Sequence, residues 1–493
     1  MSTDDALRGA GSLAIHRLWE KANMDKVLKD LTPAQRKSVK LMVMQRILNP
    51  GSKNALKTDF ADSIFKKLYS KTRFDEDELY EVMDELHSNF YNVQKRLRDI
   101  NNPANTLLLY DITSSYFEGT EAENGEYGYS RDHRPDRYQI VIGLVCNENG
   151  LPLSVKVWPG DTADKATVKK QVEQIKETFD IQKAIIIGDK GMYSETNIEH
   201  VLDHGLNYIF SVDWHIQREQ LSNRTPEQLS LLDEIGVLEW EDNGTRFIGC
   251  SSQWRKERQA QKRIEGVKYV KEKLDHLQQT VAKGKYYTWN SLHKKIEDIL
   301  DYAGVKGLFD FTIKPKNKDI SPDEKGKFEL EYSINSEAVR ERKKREGKFV
   351  LETSVDKKDK TAEEIKNAFM KQPQIEKAFR NIKSLLKIRP IYHHINPRIE
   401  SHVLICFLAY YLTKKAEMEF RKNDITRRSV DVIRHWEKLK LTKITLTSKN
   451  KKLNEWQWQM GETGTKIKNE ISQIGWWRSI QGYKRSILSN LDE

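Results

Sequence analysis

The sequence predicts an α/β protein: a mixed-sheet core interrupted by an inserted domain, with helical N-terminal and C-terminal regions. Three observations carry this prediction. Three apolar segments joined by polar turns begin at Thr106. Helix-like and strand-like segments then alternate as far as Trp214, the order that builds a mixed sheet. A charge-rich stretch over 215–345 breaks that rhythm, which resumes at Gly347.

Residues 1–105 read as a helical, DNA-binding type of module. Thr32-Pro33-Ala34-Gln35 combines an N-cap, a proline at the first helical position and a capping-box glutamine. The cationic and apolar segment that follows is stopped by Asn49-Pro50-Gly51. Asp75–Leu97 carries a second long helical pattern. An ordinary small bundle has the same pattern, so the cationic helices alone do not decide between the two.

Residues 106–214 form the first part of the core. Leu107–Tyr110 is a continuous apolar run, the pattern of a strand buried on both faces. Tyr138–Cys146 and Leu151–Gly160 flank the hairpin turn Asn147-Glu148-Asn149-Gly150. Lys165–Phe179 is an amphipathic helix whose cap is sought in Asp161, Thr162 or Asp164. Lys183–Gly191 is a strand ending on an aspartate, Glu195–His204 a helix and Asn207–Trp214 a fifth strand.

Residues 215–345 read as an insertion with a basic helix over Gln253–Leu274 and two strand-like pieces separated by the turn-rich NKDISPDEKG. Residues 346–415 resume the core, with a strand at Gly347–Asp356 and helical structure from Thr361 to about Lys387. Residues 416–493 are basic and aromatic, and their fold does not follow from the pattern.

Lys and Arg number 84 against 73 Asp and Glu, a net charge of +11, which suits a polyanionic partner, nucleic acid before an acidic membrane surface. The longest apolar run, Val403–Leu412, falls short of the ~20 residues of a membrane span and reads as a buried helix. The N-terminus shows no secretory pattern. Cys146, Cys250 and Cys406 stand far apart with no Cys-x-x-Cys pair, which supports neither a zinc site nor a disulfide framework. A reduced, cytoplasmic protein is the simplest expectation.

The chemistry is sought at two aspartates. Asp111 follows Leu107–Tyr110, and Asp189 follows the apolar Ile185–Ile187 in the same way. Two strands of one sheet that end on carboxylates bring them to one edge, where they repel unless a cation lies between. Hard divalent cations take carboxylate oxygens together with phosphate. A third carboxylate is offered by Glu376, whose helix face also carries Phe379, Arg380 and Lys383, while Ala378, Ile382, Leu385 and Leu386 fill another. An ordinary surface helix with charges at this spacing reads the same.

Six segments taken together resemble the DDE transposases of bacterial insertion sequences. They are YDITSSYFEG, GYSRDHRPDRYQIVIGLV, WPGDTADK, IIIGDKGMYS, FVLETSVD and the stretch from Ile375 to Leu412, with NPGSK (Asn49–Lys53) a fainter seventh. The closer resemblance is to the branch whose RNase H-like core is split by an insertion domain. It implies Asp111, Asp189 and Glu376 as the catalytic and metal-holding triad, separated by 78 and 187 residues. It further implies two Mg²⁺ ions ~4 Å apart, for which Mn²⁺ substitutes, and cleavage and strand transfer at element ends.

The partners implied are double-stranded DNA, as terminal inverted repeats and target, and a second copy of the chain in a synaptic complex. A nucleoid-associated prokaryotic location and no membrane partner follow from the same resemblance. The family signature Tyr-x2-Arg-x3-Glu-x6-Lys is kept at Glu376 and Lys383, but Phe369 and Gln372 occupy its first two positions. Candidate DNA contacts are Lys383, Arg380, which could replace the missing cation, Lys190, His133 and Arg134. His133 reads equally as a solvated turn residue. His393-His394 lacks a third ligand. Trp240, Trp254, Tyr286, Tyr287 and Trp289 either pack the insertion or stack on a base. Two competing function classes are a transposase-derived binding protein that no longer cuts, and an unrelated two-carboxylate enzyme such as a glycosidase.

Overall fold

A computed structural model describes every residue except 1, 61–62, 66–75, 102–105, 179–183, 317–320, 322, 449–450 and 490–493. Asp75, Phe179, Lys183 and part of the turn over 317–326 therefore lie outside the described residues. The chain forms two compact units, Met1–Asp213 with Thr353–Glu493, and Trp214–Glu352.

The first unit begins with a strand, β1 (Ser2–Arg8), that the helical reading of this region did not include. Its core sheet follows: β2 (Thr106–Tyr116), β3 (Gln139–Asn147), β4 (Pro152–Pro159), β5 (Ala184–Gly188) and β6 (Asn207–Ser211). Their spatial order is β4-β3-β2-β5-β6. β2, β3 and β4 pair antiparallel, and β5 and β6 continue on the other side of β2 in parallel. Three antiparallel strands followed by two parallel ones, with the first strand central, is the RNase H-like arrangement. Leu108, Leu109 and Tyr110 are buried, as a strand covered on both faces requires.

The capping box is formed as written: Thr32 Oγ1 accepts from the Gln35 N–H at 3.3 Å and Gln35 Oε1 accepts from the Thr32 N–H at 2.8 Å. It opens helix Pro33–Leu48. The second N-terminal pattern is two helices, Glu76–Ser88 and Phe90–Asn101, interrupted at Asn89. Val403–Leu412 lies inside helix Asn396–Arg421, buried along most of its length against β4 and the helices Pro33–Leu48 and Glu76–Ser88. Helix Asp164–Glu173 has Ala163 at its N-cap with no side-chain cap. Asp164 is the first residue inside that helix and not its N-cap, and its carboxylate accepts from Arg131. The aromatic tail supplies β12 (Lys440–Ser448) and β13 (Lys451–Trp458), and β12 pairs with both β1 and β13. Trp436, Trp476 and Phe420 cluster beneath the Arg17 guanidinium, which lies 4.2 Å from the Trp476 ring.

The second unit pairs β7 (Val237–Asp242) with β8 (Thr245–Ser251), and β11 (Lys348–Thr353) lies beside β8. Helices Gln253–Ala282 and Trp289–Tyr302 pack on a hairpin of β9 (Phe309–Pro315) and β10 (Phe328–Ile334) through Leu274, Ile296, Phe309 and Phe328. Trp240 is buried and donates its indole N–H to Gln220 Oε1 at 2.8 Å, whereas Trp254 and Tyr286 are exposed. No helix among the described residues is long and apolar enough to cross a membrane.

Candidate active site

Asp111 does not end its strand. β2 runs on to Tyr116, paired with β3 along that whole length. What ends is the pairing with β5, whose last partners are Leu109 and Ile187. The parallel register offsets partners by the same 78 residues that separate Asp111 from Asp189, so each aspartate stands two residues past the last β2–β5 pair, Leu109 and Ile187. The carboxylates are therefore displayed where one neighbour strand stops and the other continues.

Burial pushes the Asp111 carboxyl up to about 7, with the charge of Asp189 the next cause and that of Glu376 a further one. Its Oδ1 accepts from the Ile112 N–H at 2.8 Å. Asp189 is raised as well, by burial first and then by Asp164, while the Gly191 N–H donated to its Oδ1 at 2.9 Å and the Arg131 charge oppose the rise. A Cβ on Gly191 would press on both carboxylates, meeting Asp164 Oδ2 at 3.0 Å and Asp189 Oδ1 at 3.2 Å.

Glu376 sits in the first turn of helix Pro373–Arg380, started by Pro373. Ile375, Ala378 and Phe379 are buried toward β2 and β3 while Glu376 and Arg380 are exposed, so Phe379 belongs to the packing face and not to the charged one. The helical run from Thr361 is broken into Ala362–Phe369, Pro373–Arg380 and a wider turn of π type at Asn381–Leu385. That wider turn carries Lys383.

No ion pair joins Asp111, Asp189 or Glu376 to a cation among the described residues. Nor do three His, Cys, Asp or Glu side chains there stand close enough to hold a metal ion as they are. The donor chemistry nevertheless fits a hard divalent cation: two partly buried carboxylates that crowd each other and have no ion pair of their own among the described residues.

The predicted DNA contacts are placed unevenly. Lys190 and Arg380 are exposed. His133 is exposed with φ 56°, a left-handed turn residue. Arg134 is held by Asp136 through two bonds of 2.8 Å. Lys383 does not reach outward: its ammonium donates to Asp132 Oδ1 at 2.6 Å, and Arg389 pairs with the same oxygen. Phe369 and Gln372 are buried. His393 is pulled down to about 3 by burial and the charges of Lys53 and Arg46, and it packs on Tyr80 and His402. Sequence reasoning passed over Arg131, Asp132 and Asp164. The alternating charges of SRDHRPDR are the available signal for Arg131 and Asp132.

The fold and these acids define a protein of the RNase H-like class with a carboxylate-lined sheet edge. Residues 103–412 match the family model described as Transposase DDE domain, and the chain belongs to that family. Membership brings DNA transposition as the function class, and with it phosphoryl transfer on DNA that uses divalent metal ions. No curated protein matches. Among solved structures, the chain is similar to a piggyBac transposase in a synaptic complex with hairpin DNA, at TM-score 0.37 and 11% identity over 87% of this chain and 76% of that one.

Proposed function

We propose that this chain is an insertion-sequence transposase that cleaves DNA at the ends of its element and transfers the freed strand to target DNA. One observation carries the reading: Asp111 and Asp189 each stand two residues past the last β2–β5 partners, with both carboxyls raised by burial and neither in an ion pair with a cation among the described residues. Such a pair is costly unless a cation completes it. Asp111, Asp189 and Glu376 would hold Mg²⁺, with Mn²⁺ in its place under assay. When bound, a pair of such ions supplies an activated oxygen nucleophile and relief of charge on the leaving oxygen.

The chain's own residues do the rest. β2 holds Asp111, the turn that follows β5 holds Asp189, and the Glu376 helix, packed through Ile375 and Phe379, fixes the third carboxylate to the same sheet. Arg380 and Lys190, both exposed, contact phosphates and hold the strand against the acids. Two element ends imply a dimer. Residues 1–105 are assigned to end recognition, 106–214 and 346–415 to the catalytic core, and 215–345 to the insertion.

A second reading, a derived DNA-binding protein that no longer cuts, is favoured by Phe369 and Gln372, which remove a hydroxyl and a charge from the signature. Incubating wild type and Asp111→Asn with DNA carrying both element ends, with and without Mg²⁺, separates the two. Metal-dependent cuts by wild type alone support the enzyme. Binding without cuts by either protein supports the second reading.

A further inference from the structure

The loop after β2 touches the carriers of all three acids through two adjacent residues. The Arg131 N–H donates to Ser114 Oγ at 2.8 Å, three residues along β2 from Asp111. The Arg131 guanidinium donates to Asp164 Oδ1 at 2.5 Å. Asp164 in turn lines the Gly191 cradle beside Asp189. Asp132 has its side chain 2% exposed and receives the Lys383 ammonium at 2.6 Å, together with Arg389. Lys383 lies in the turn that directly continues the Glu376 helix. Its other oxygen, Oδ2, is buried without a hydrogen-bond partner among the described residues. A buried carboxylate bearing two cations on one oxygen is anchored, and removing it leaves both cations uncompensated.

We infer that Arg131 and Asp132 are positioning residues, which lock β2, the Asp189 turn and the Glu376 helix into one frame so that the three acids keep their spacing. This rests on the catalytic reading of those acids, although the locking itself does not. Lys383 on this account is a strut of the frame and not a DNA contact in the free protein. Holding carboxylates from three elements within a narrow geometry needs such a supporting shell, and its loss typically lowers metal affinity or activity about 10–100-fold.

The test compares wild type with Asp132→Asn, Lys383→Met, Lys383→Arg, Arg131→Lys and the Asp132→Asn/Lys383→Met double variant. Three readouts are used: amide hydrogen exchange over 186–194 and 373–386, Mn²⁺ binding followed by its paramagnetic resonance, and single-turnover cleavage of end DNA. Asp132→Asn and Lys383→Met are expected to speed exchange in both segments about tenfold, to weaken Mn²⁺ about tenfold, and to lower the maximal rate about a hundredfold. The DNA concentration for half-maximal rate stays within about threefold.

The double variant is expected to be no worse than the poorer single one, and Lys383→Arg to recover most of the rate. Should Asp132→Asn fail to fold, Lys383→Met carries the same comparison, with Lys383→Arg as its rescue. A Lys383→Met that raises the half-maximal DNA concentration while Asp132→Asn stays normal would overturn the inference, as would unchanged exchange in both segments. If wild type and Asp111→Asn both fail to cut and to bind Mn²⁺, the catalytic reading fails. The exchange data still decide whether the dipeptide locks the frame.

Discussion

Replacing Asp111 by Asn should stabilise the metal-free protein while abolishing its proposed activity. The carboxyl, ordinarily near 3.8, is held up to about 7, by burial first and by Asp189 next. That difference converts to roughly 4 kcal/mol held against the charged form, at about 1.4 kcal/mol per pH unit. The amide that replaces it remains buried and keeps only a neutral bond to the Ile112 N–H, which offsets about half and leaves a gain of about 2 kcal/mol at pH 8. The sign follows from linkage. A folded value above the unfolded one costs nothing below about pH 4, grows between 4 and 7, and is complete above 7. Denaturant midpoints in EDTA at pH 4.5 and 8, with equal slopes required, measure it. A gain at pH 8 that shrinks by pH 4.5 is expected. A variant equally or less stable than wild type at pH 8 would refute the claim that burial and the neighbouring Asp189 charge hold the Asp111 carboxyl up.

Other outcomes follow from the same structure. Lys53 is buried, its ammonium has no hydrogen-bond partner among the described residues, and burial with the nearby Arg46 charge pulls it down to about 7. Wild type should gain stability as pH rises from 7 to 10.5, and Lys53→Met should add about 2–4 kcal/mol at pH 7 and almost nothing at pH 10.5 in denaturant titrations. Glu346 bonds Arg263 at 2.6 and 3.2 Å in a buried pair. Glu346→Gln should cost about 2–4 kcal/mol in the unfolding step reported by Trp240 fluorescence, because the guanidinium stays buried. Gly191→Ala should lower the end-cleavage rate about tenfold with a far smaller change in melting temperature, since its Cβ presses on Asp164 and Asp189.

The strands of the core were legible because each is a short apolar run of fixed length between turn signals. Ile185–Ile187 and Leu107–Leu109 even share the offset that became their register. The three-residue apolar runs therefore mark the paired segments of β2 and β5, although sequence alone placed Asp111 at a strand end that the structure puts five residues later. Glu376 was proposed from its helix face and the family resemblance, whereas the packed position of Phe379 was not foreseen, because a 3.6-residue period leaves the boundary between faces open by one residue. Phe379 turned inward once the helix packed on β2.

What stayed hidden was long-range pairing. β1 and β12 meet across the two ends of the unit, and strand propensity in Ser2–Arg8 is too weak to announce it. Asp132 and Lys383 are 251 residues apart, and a polar loop gives no periodicity by which to anticipate a buried contact. For that reason the lysine reads as an outward phosphate ligand in the sequence, whereas in the structure its ammonium pairs with Asp132.

The most direct test of the account is cleavage of DNA carrying both element ends by wild type and Asp189→Asn, each in Mg²⁺ and in EDTA. The account predicts cuts at the ends by wild type in Mg²⁺ only, and at least about a thousandfold less from Asp189→Asn while its DNA affinity is kept. Equal cleavage by the two proteins, or cleavage that persists in EDTA, would contradict it.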